Sequence, residues 1–206
     1  MSGASPAHGG APATGAAMGW GLVLGGLAGL LAAAALLIER FKLAQDSSYT
    51  PVCSLNPVVS CGSVMESAQA AVLGFPNPLI GVAAFPVLIT TGAAILAGAR
   101  FRRWFWLGLQ AGVTAGLAFI AWLIFQSLYR IGALCPYCMV VWSVVIPTFW
   151  YVTLNNLRRG VFGERAAHSR PTQIADEWHA PILLAAFLTV LALIAVRFWD
   201  YWSTLI

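Results

Sequence analysis

Five apolar segments, each about the length that an α-helix needs to cross a bilayer, constrain this chain more than any other feature. Because the hydrocarbon core offers no partner for backbone N–H and C=O groups, a spanning segment is helical unless it belongs to a closed barrel. The short alternating segments of a barrel are absent from the sequence. The residues are 60% apolar and 9% charged, whereas a soluble domain has about 25% charged residues. We therefore predict an all-α polytopic membrane protein, with spans at residues 18–38, 78–99, 104–128, 135–154 and 179–198.

The segments outside these spans differ in composition. Residues 1–17 are rich in Gly, Ala and Pro and are expected to form a disordered cytoplasmic tail. The polar stretch 44–63 contains turn-forming Pro and Asn residues, and residues 63–73 have the composition of a short extracytoplasmic half-helix. Residues 156–178 are expected to form a cytoplasmic loop, and residues 179–206 a fifth transmembrane helix with a short external tail.

The basic residues predict how the chain crosses the membrane. Three arginines lie at 100–103 and four lie at 155–178, so two loops on the same side hold seven of the eleven basic residues. Positively charged loops stay in the cytoplasm. We therefore expect a multi-pass protein of the cell inner (plasma) membrane, with a cytoplasmic N-terminus and all four cysteines on the extracytoplasmic, oxidising side.

The four cysteines form two close pairs. Cys53 and Cys61 lie in the first external loop, which we expect to be mobile. Cys135 and Cys138 form a Cys-x-x-Cys motif in the stretch GALCPYC. Pro136 is acceptable at the first position of a helix, so both thiols of the motif are expected at the start of the fourth span. There, unpaired N–H groups and the helix dipole favour a thiolate.

Other uses of cysteine fit this arrangement less well. Buried apolar fillers would be scattered within the spans, and a structural disulfide does not require a Cys-x-x-Cys at a helix start. A zinc site would need four reduced, convergent thiols on the oxidising side, so we expect no metal. Thiol–disulfide exchange is favoured, in which Cys53 and Cys61 take electrons from an external dithiol protein and pass them to Cys135 through a mixed disulfide. With no haem or flavin motif in the sequence, a lipid-soluble quinone is the expected final oxidant.

The sequence resembles the vitamin K epoxide reductase family in its bacterial, quinone-reducing form. The resemblance covers residues 18–155, the predicted catalytic domain, and rests on both cysteine pairs and on the stretch CGSVMESAQAAVLGFPNPLIG that begins at Cys61. It implies a four-helix transmembrane bundle around a quinone site, with menaquinone or ubiquinone as electron acceptor, and a fifth transmembrane helix beside it. A rival family of quinone-linked disulfide oxidoreductases has its Cys-x-x-Cys before the loop pair, whereas here the loop pair comes first.

The resemblance also implies roles for individual residues. Cys53 would face the external partner, Cys61 would exchange with Cys135, and Cys138 would react with the quinone ring. Asn77 would donate a hydrogen bond to a quinone carbonyl, although Asn is equally typical of a helix N-cap before proline. Three more residues are expected to bind the quinone: Ser67, Trp142 and Met65. Ser67 could instead be a simple polar residue of the half-helix, and Trp142 could instead serve packing within the span.

The end of the sequence bears on the partner. Many bacterial relatives carry a fused thioredoxin-like domain after the last span, whereas this sequence ends at Ile206. We therefore expect a separate extracytoplasmic partner with a thioredoxin fold (DsbA-like), and an enzyme that supports disulfide bond formation as a quinone-dependent thiol–disulfide oxidoreductase. The alternative is a membrane transporter or structural subunit with bracing external disulfides. Ionisable residues inside the spans would indicate a transporter, and they are almost absent.

Overall fold

Five helices are long and apolar enough to cross a membrane, which confirms the predicted all-α polytopic fold. The computed structural model describes residues 13–46 and 48–203. Nine α-helices follow one another in that part of the chain: α1 (Ala13–Gln45), α2 (Cys61–Glu66), α3 (Pro78–Leu96), α4 (Arg103–Gln126), α5 (Pro136–Arg158), α6 (Glu164–Ala167), α7 (Arg170–Glu177), α8 (His179–Arg197) and α9 (Trp199–Trp202). The spanning helices are α1, α3, α4, α5 and α8.

The first helix is longer than the sequence predicts. It begins at Ala13, so residues 13–17 are helical and not part of a disordered tail. The rest of the predicted tail lies outside the described residues. The helix also continues to Gln45, because no Gly or Pro interrupts residues 30–45 and because Glu39 and Lys42 form an ion pair of 3.2 Å one turn apart.

The half-helix predicted at residues 63–73 is two separate turns. Helix α2 ends at Glu66, and a 3₁₀ turn covers Ala68–Ala71. Ser67 separates them in an extended conformation, with φ −69° and ψ 149°. Its N–H and its hydroxyl both donate to the carbonyl of Val64, at 3.3 Å and 2.7 Å, and these two bonds end α2.

The cytoplasmic loop predicted at residues 156–178 is partly helical. Helix α5 continues through Arg158, and α6 and α7 occupy much of the segment that follows. Arg158 forms an ion pair with Asp176 in α7, which ties the segment back to the end of α5.

Glycines set how closely the helices pack. A Cβ placed on Gly92 in α3 would lie 2.6 Å from the carbonyl oxygen of Gly19 in α1, and a Cβ on Gly29 would lie 2.3 Å from the ring of Phe85. Small residues at such contacts let two backbones approach closely inside a membrane. Helix α5 packs on both α1 and α4. The bundle therefore has α1 and α5 at its centre, with α3 packed on α1 and α4 packed on α5.

We expect Gly92→Ala to destabilise the fold by about 1–3 kcal/mol, because its Cβ would overlap the Gly19 carbonyl oxygen. Thermal unfolding of the purified protein in detergent measures this as a lower Tm. The matched control is Gly21→Ala, whose Cβ would meet no atom within 4 Å and should leave Tm unchanged or slightly raised. Equal Tm values for the two variants would contradict the packing assigned to α1 and α3.

Candidate active site

A short parallel backbone pairing joins the first loop to the turn before α5. Val59 pairs with Leu134: the Ser60 N–H donates to the Leu134 carbonyl at 2.9 Å, and the Leu134 N–H donates to the Val58 carbonyl at 2.7 Å. The residues that follow in each segment include a cysteine. As a result, Cys61 Sγ and Cys135 Sγ lie 3.3 Å apart, although 74 positions separate them in the sequence.

The loop that presents Cys61 is shaped by its own side chains. The Asn56 carboxamide oxygen accepts hydrogen bonds from the N–H groups of Val58 and Val59, at 3.0 Å and 2.7 Å. This turns the chain back toward Leu134. Ser60 then caps α2, its hydroxyl accepting from the Ser63 N–H at 3.3 Å, so that Cys61 becomes the first residue of that helix.

The cysteines are in two different redox states. Cys53 and Cys61 form a disulfide, whereas Cys135 and Cys138 are free thiols. The polar sequence of the first loop suggests an exposed disulfide, but the disulfide is buried: Cys53 is 7% exposed and Cys61 is fully buried. Cys135 is fully buried as well. These sulfurs lie in an apolar cluster whose other buried members are Leu43 and Met65.

Helix α5 begins as the sequence predicts. Cys135 is its N-cap, Pro136 its first residue, and Cys138 lies in its first turn. A hydrogen bond from the Cys138 thiol lowers the pKa of the Cys135 thiol; burial opposes this shift, and the N–H groups of Cys138 and Tyr137 reinforce it. The start of α5 therefore stabilises a thiolate at Cys135, which is the sulfur that faces Cys61.

A cavity of about 520 Å³ lies between α3 and α4 and reaches the first turn of α5. Its lining is almost wholly apolar. It brings together five residues that the family resemblance associates with a quinone: Cys138, Asn77, Ser67, Trp142 and Met65. Along α4 it is bordered by Gly108, Gly112 and Gly116, and a Cβ at either of the first two would meet no atom within 4 Å. Exposed Val87 and Trp104 also line the cavity, so it opens at the flank of the bundle.

Asn77 and Ser67 are both committed to local hydrogen bonds. Asn77 Nδ2 donates to the Gln69 carbonyl at 2.7 Å, and its Oδ1 accepts from the Val72 N–H at 3.2 Å. Asn77 occupies the N-cap position of α3, as the capping alternative expects, but its side chain makes no capping bond. Because Nδ2 carries two hydrogens, one remains for a ligand. The Ser67 hydroxyl donates to the Val64 carbonyl in α2, which leaves the hydroxyl oxygen as an acceptor.

Trp142 and Met65 connect the cavity to the core, and each is 3% exposed. Met65 packs in the cluster of sulfurs, while Trp142 packs with Leu128 and Leu134 beside the turn before α5. Both side chains therefore border the cavity and support the two segments that meet at Cys61 and Cys135.

Glu39 has a role at this site that the sequence alone does not indicate. It is 5% exposed, and its Oε2 accepts hydrogen bonds from the Tyr49 hydroxyl at 2.9 Å and from the Val52 N–H at 3.1 Å. Lys42 donates to its other oxygen. Glu39 thus fastens the chain to α1 immediately before Cys53. An acidic residue near the end of an apolar span is costly unless it is paired, and that is the signal that could have identified it.

Comparison with known proteins identifies the family. The profile described as the Vitamin K epoxide reductase family matches residues 20–153. The chain belongs to the vitamin K epoxide reductase family. No curated protein matches it. Membership in this family makes the chain a membrane thiol oxidoreductase. The region that matches the vitamin K epoxide reductase family contains all four cysteines, and α8 lies outside that region.

The pKa of Cys135 predicts how the site responds to pH. Because the shift is downward, its thiolate forms at a lower pH than that of an ordinary thiol, and alkylation should rise over that lower range. Cys138→Ala removes the principal hydrogen-bond donor and should move the midpoint of the profile upward. Cys138→Ser keeps a hydroxyl donor and should move it less. Peptide mass spectrometry after iodoacetamide labelling measures the profile, and a midpoint unchanged in both variants would contradict the assigned cause.

We expect Glu39→Ala to release the segment that leads to Cys53, because the Tyr49 hydroxyl and the Val52 N–H lose a charged acceptor. Hydrogen–deuterium exchange across residues 48–55 should accelerate about tenfold or more. The matched control is Asp46→Ala, since among the described residues the Asp46 carboxylate accepts bonds from Ser48 alone, so exchange beyond Ser48 should stay unchanged. Unchanged exchange in the Glu39 variant would show that the loop is held by other contacts.

Proposed function

We propose that this family member is a thiol–quinone oxidoreductase that takes electrons from an external dithiol protein and delivers them to a membrane quinone. The observation that carries the proposal is the 3.3 Å separation of Cys61 Sγ and Cys135 Sγ, with Cys138 on the wall of an apolar cavity. A disulfide, a dithiol and a lipid-accessible cavity follow one another along this path.

The sulfur steps balance through the four cysteines. The partner dithiol reduces the Cys53–Cys61 disulfide and becomes a disulfide itself. The Cys61 thiolate then attacks Cys135 in a Cys135–Cys138 disulfide, and Cys138 leaves as a thiolate. Cys53 next attacks Cys61 in the Cys61–Cys135 disulfide, which restores the loop disulfide and releases Cys135. The bonding pattern of the structure, an oxidised loop pair beside two free thiols, matches the end of these steps.

The cavity residues fit a quinone. When bound, a quinone supplies a two-electron, two-proton acceptor for the Cys135–Cys138 dithiol. Cys138 borders the cavity, and the Asn77 amide, held in place by Gln69 and Val72, has an N–H left for a ring carbonyl. The glycine-lined groove along α4 is long and apolar, which suits the isoprenoid tail of menaquinone or ubiquinone.

The partner in this proposal is a separate thioredoxin-fold (DsbA-like) protein outside the cytoplasm, with the N-terminus of the chain inside. The charge bias of the loops supports that orientation in an inner membrane. Cys53 itself is buried, but its neighbours Val52 and Leu55 are 66% and 72% exposed. An apolar rim beside a buried disulfide supports docking of a protein over attack by a small thiol in water.

The test is quinone reduction by the purified protein in detergent, followed by absorbance with a reduced thioredoxin-fold protein as donor. Wild-type protein should bleach ubiquinone or menaquinone. Cys138→Ser should fall to the background rate, because the Cys135–Cys138 disulfide that accepts electrons from Cys61 cannot form.

The matched control in the same helix is Ser143→Ala: the exposed Ser143 hydroxyl donates to the Val140 carbonyl of its own helix, and its loss should leave the rate unchanged. A bracing role for the disulfides predicts a different pattern. Wild-type protein would then reduce no quinone, and cysteine variants would lose the fold. Quinone reduction that survives Cys138→Ser would overturn the proposal.

A further inference from the structure

The last turn of α8 differs from the rest of that helix. Most of the apolar side chains along α8 face away from the bundle, among them Leu184, Leu188 and Leu191, which are 60%, 54% and 57% exposed. At its end, however, Ile194 and Phe198 are buried. They pack in one cluster with residues of the first loop, of the turn before α5 and of α5 itself: Val58, Leu128, Leu134 and Trp142.

The turn that α8 contacts has an unusual backbone. After α4 the chain makes a π-helical turn, Ser127–Ile131, in which the Gly132 N–H donates to the Ser127 carbonyl five residues earlier, at 3.0 Å. In an α-helix that N–H would bond to the carbonyl of Leu128. The Leu128 carbonyl therefore loses its helical partner, and Leu128 is fully buried, where an unpaired carbonyl is costly.

Arg197 supplies the missing donor. Its Nε donates to the Leu128 carbonyl at 2.8 Å, across 69 positions of sequence. Gly132 follows in the left-handed conformation, with φ +71°, and Leu134 then pairs with the loop that carries Cys61. The same short turn is thus held by α8 on one side and by the cysteine loop on the other.

We propose that Arg197 is a positioning residue, which with Ile194 and Phe198 holds the turn before α5 so that Cys135 stays against Cys61. This gives the fifth transmembrane helix a function in the redox site, although it lies outside the region matched by the family. The inference rests on the proposed sulfur path, in which those two cysteines exchange. It assigns no chemistry to Arg197 itself.

The test measures how well the two sulfurs are aligned. In a Cys53→Ala, Cys138→Ala background only Cys61 and Cys135 remain, and oxidised glutathione converts them to a disulfide while two glutathione thiols form. The equilibrium fraction of that disulfide, read as a cross-linked peptide, gives their effective concentration. Adding Arg197→Ala should lower this value about tenfold or more, because a buried carbonyl loses a charged donor. Arg197→Lys should retain most of it, since an ammonium can still donate to that carbonyl.

Arg103→Ala is the matched control. Arg103 Nε donates to the Val161 carbonyl at 2.8 Å, the same contact at the opposite end of the bundle. In the same two-cysteine background, Arg103→Ala should lower thermal stability but leave the effective concentration of Cys61 and Cys135 unchanged. An unchanged value in Arg197→Ala, or an equal fall in Arg103→Ala, would overturn the positioning role. Because the assay contains no quinone, a failure of quinone reduction would count against the proposed function alone.

Discussion

Two backbone hydrogen bonds between residues 58–60 and Leu134 set the geometry on which the site depends. They join the first loop to a turn that lies two spanning helices later in the chain. This backbone pairing brings the Sγ atoms of two cysteines into contact. Each of the two paired segments is also held by contacts of its own. Asn56 and the Cys53–Cys61 disulfide hold the loop, and Arg197 holds the turn. Preorganisation of this kind lowers the entropy that exchange would otherwise cost.

The bundle uses glycine in two opposite ways around this site. Between α1 and α3, glycine allows backbones to approach until no Cβ would fit, as at Gly92 and Gly29. Along α4, Gly108 and Gly112 face open space, and the absence of side chains enlarges the cavity. One side of the bundle is therefore closed tightly while the other stays open between α3 and α4. Rigid packing of α1 also supports Glu39, which fastens the loop before Cys53.

The spans, the family and the start of α5 follow from the sequence, because the membrane imposes long apolar helices and the Cys-x-x-Cys fixes where one begins. The details that the sequence does not predict are choices of backbone partner. Nothing in the side-chain pattern shows that Ser67 ends α2, that a π turn frees the Leu128 carbonyl, or that Asn77 bonds to the 3₁₀ turn. The role of Glu39 is also not evident from the sequence, because Glu39 and Lys42, one turn apart, look like an ordinary ion pair at the end of a helix.

The burial of Cys53, Cys61 and Cys135 affects how easily electrons are lost from these sulfurs to small molecules in water. Because these three sulfurs are buried, small thiols and oxidants in water reach them slowly, so few electrons are lost from the path. In the proposed cycle, a partner protein can therefore reach the loop disulfide only after the segment between Ser48 and Ser60 opens locally. Under the proposed function, donor proteins would then differ in how well each one stabilises the opened segment.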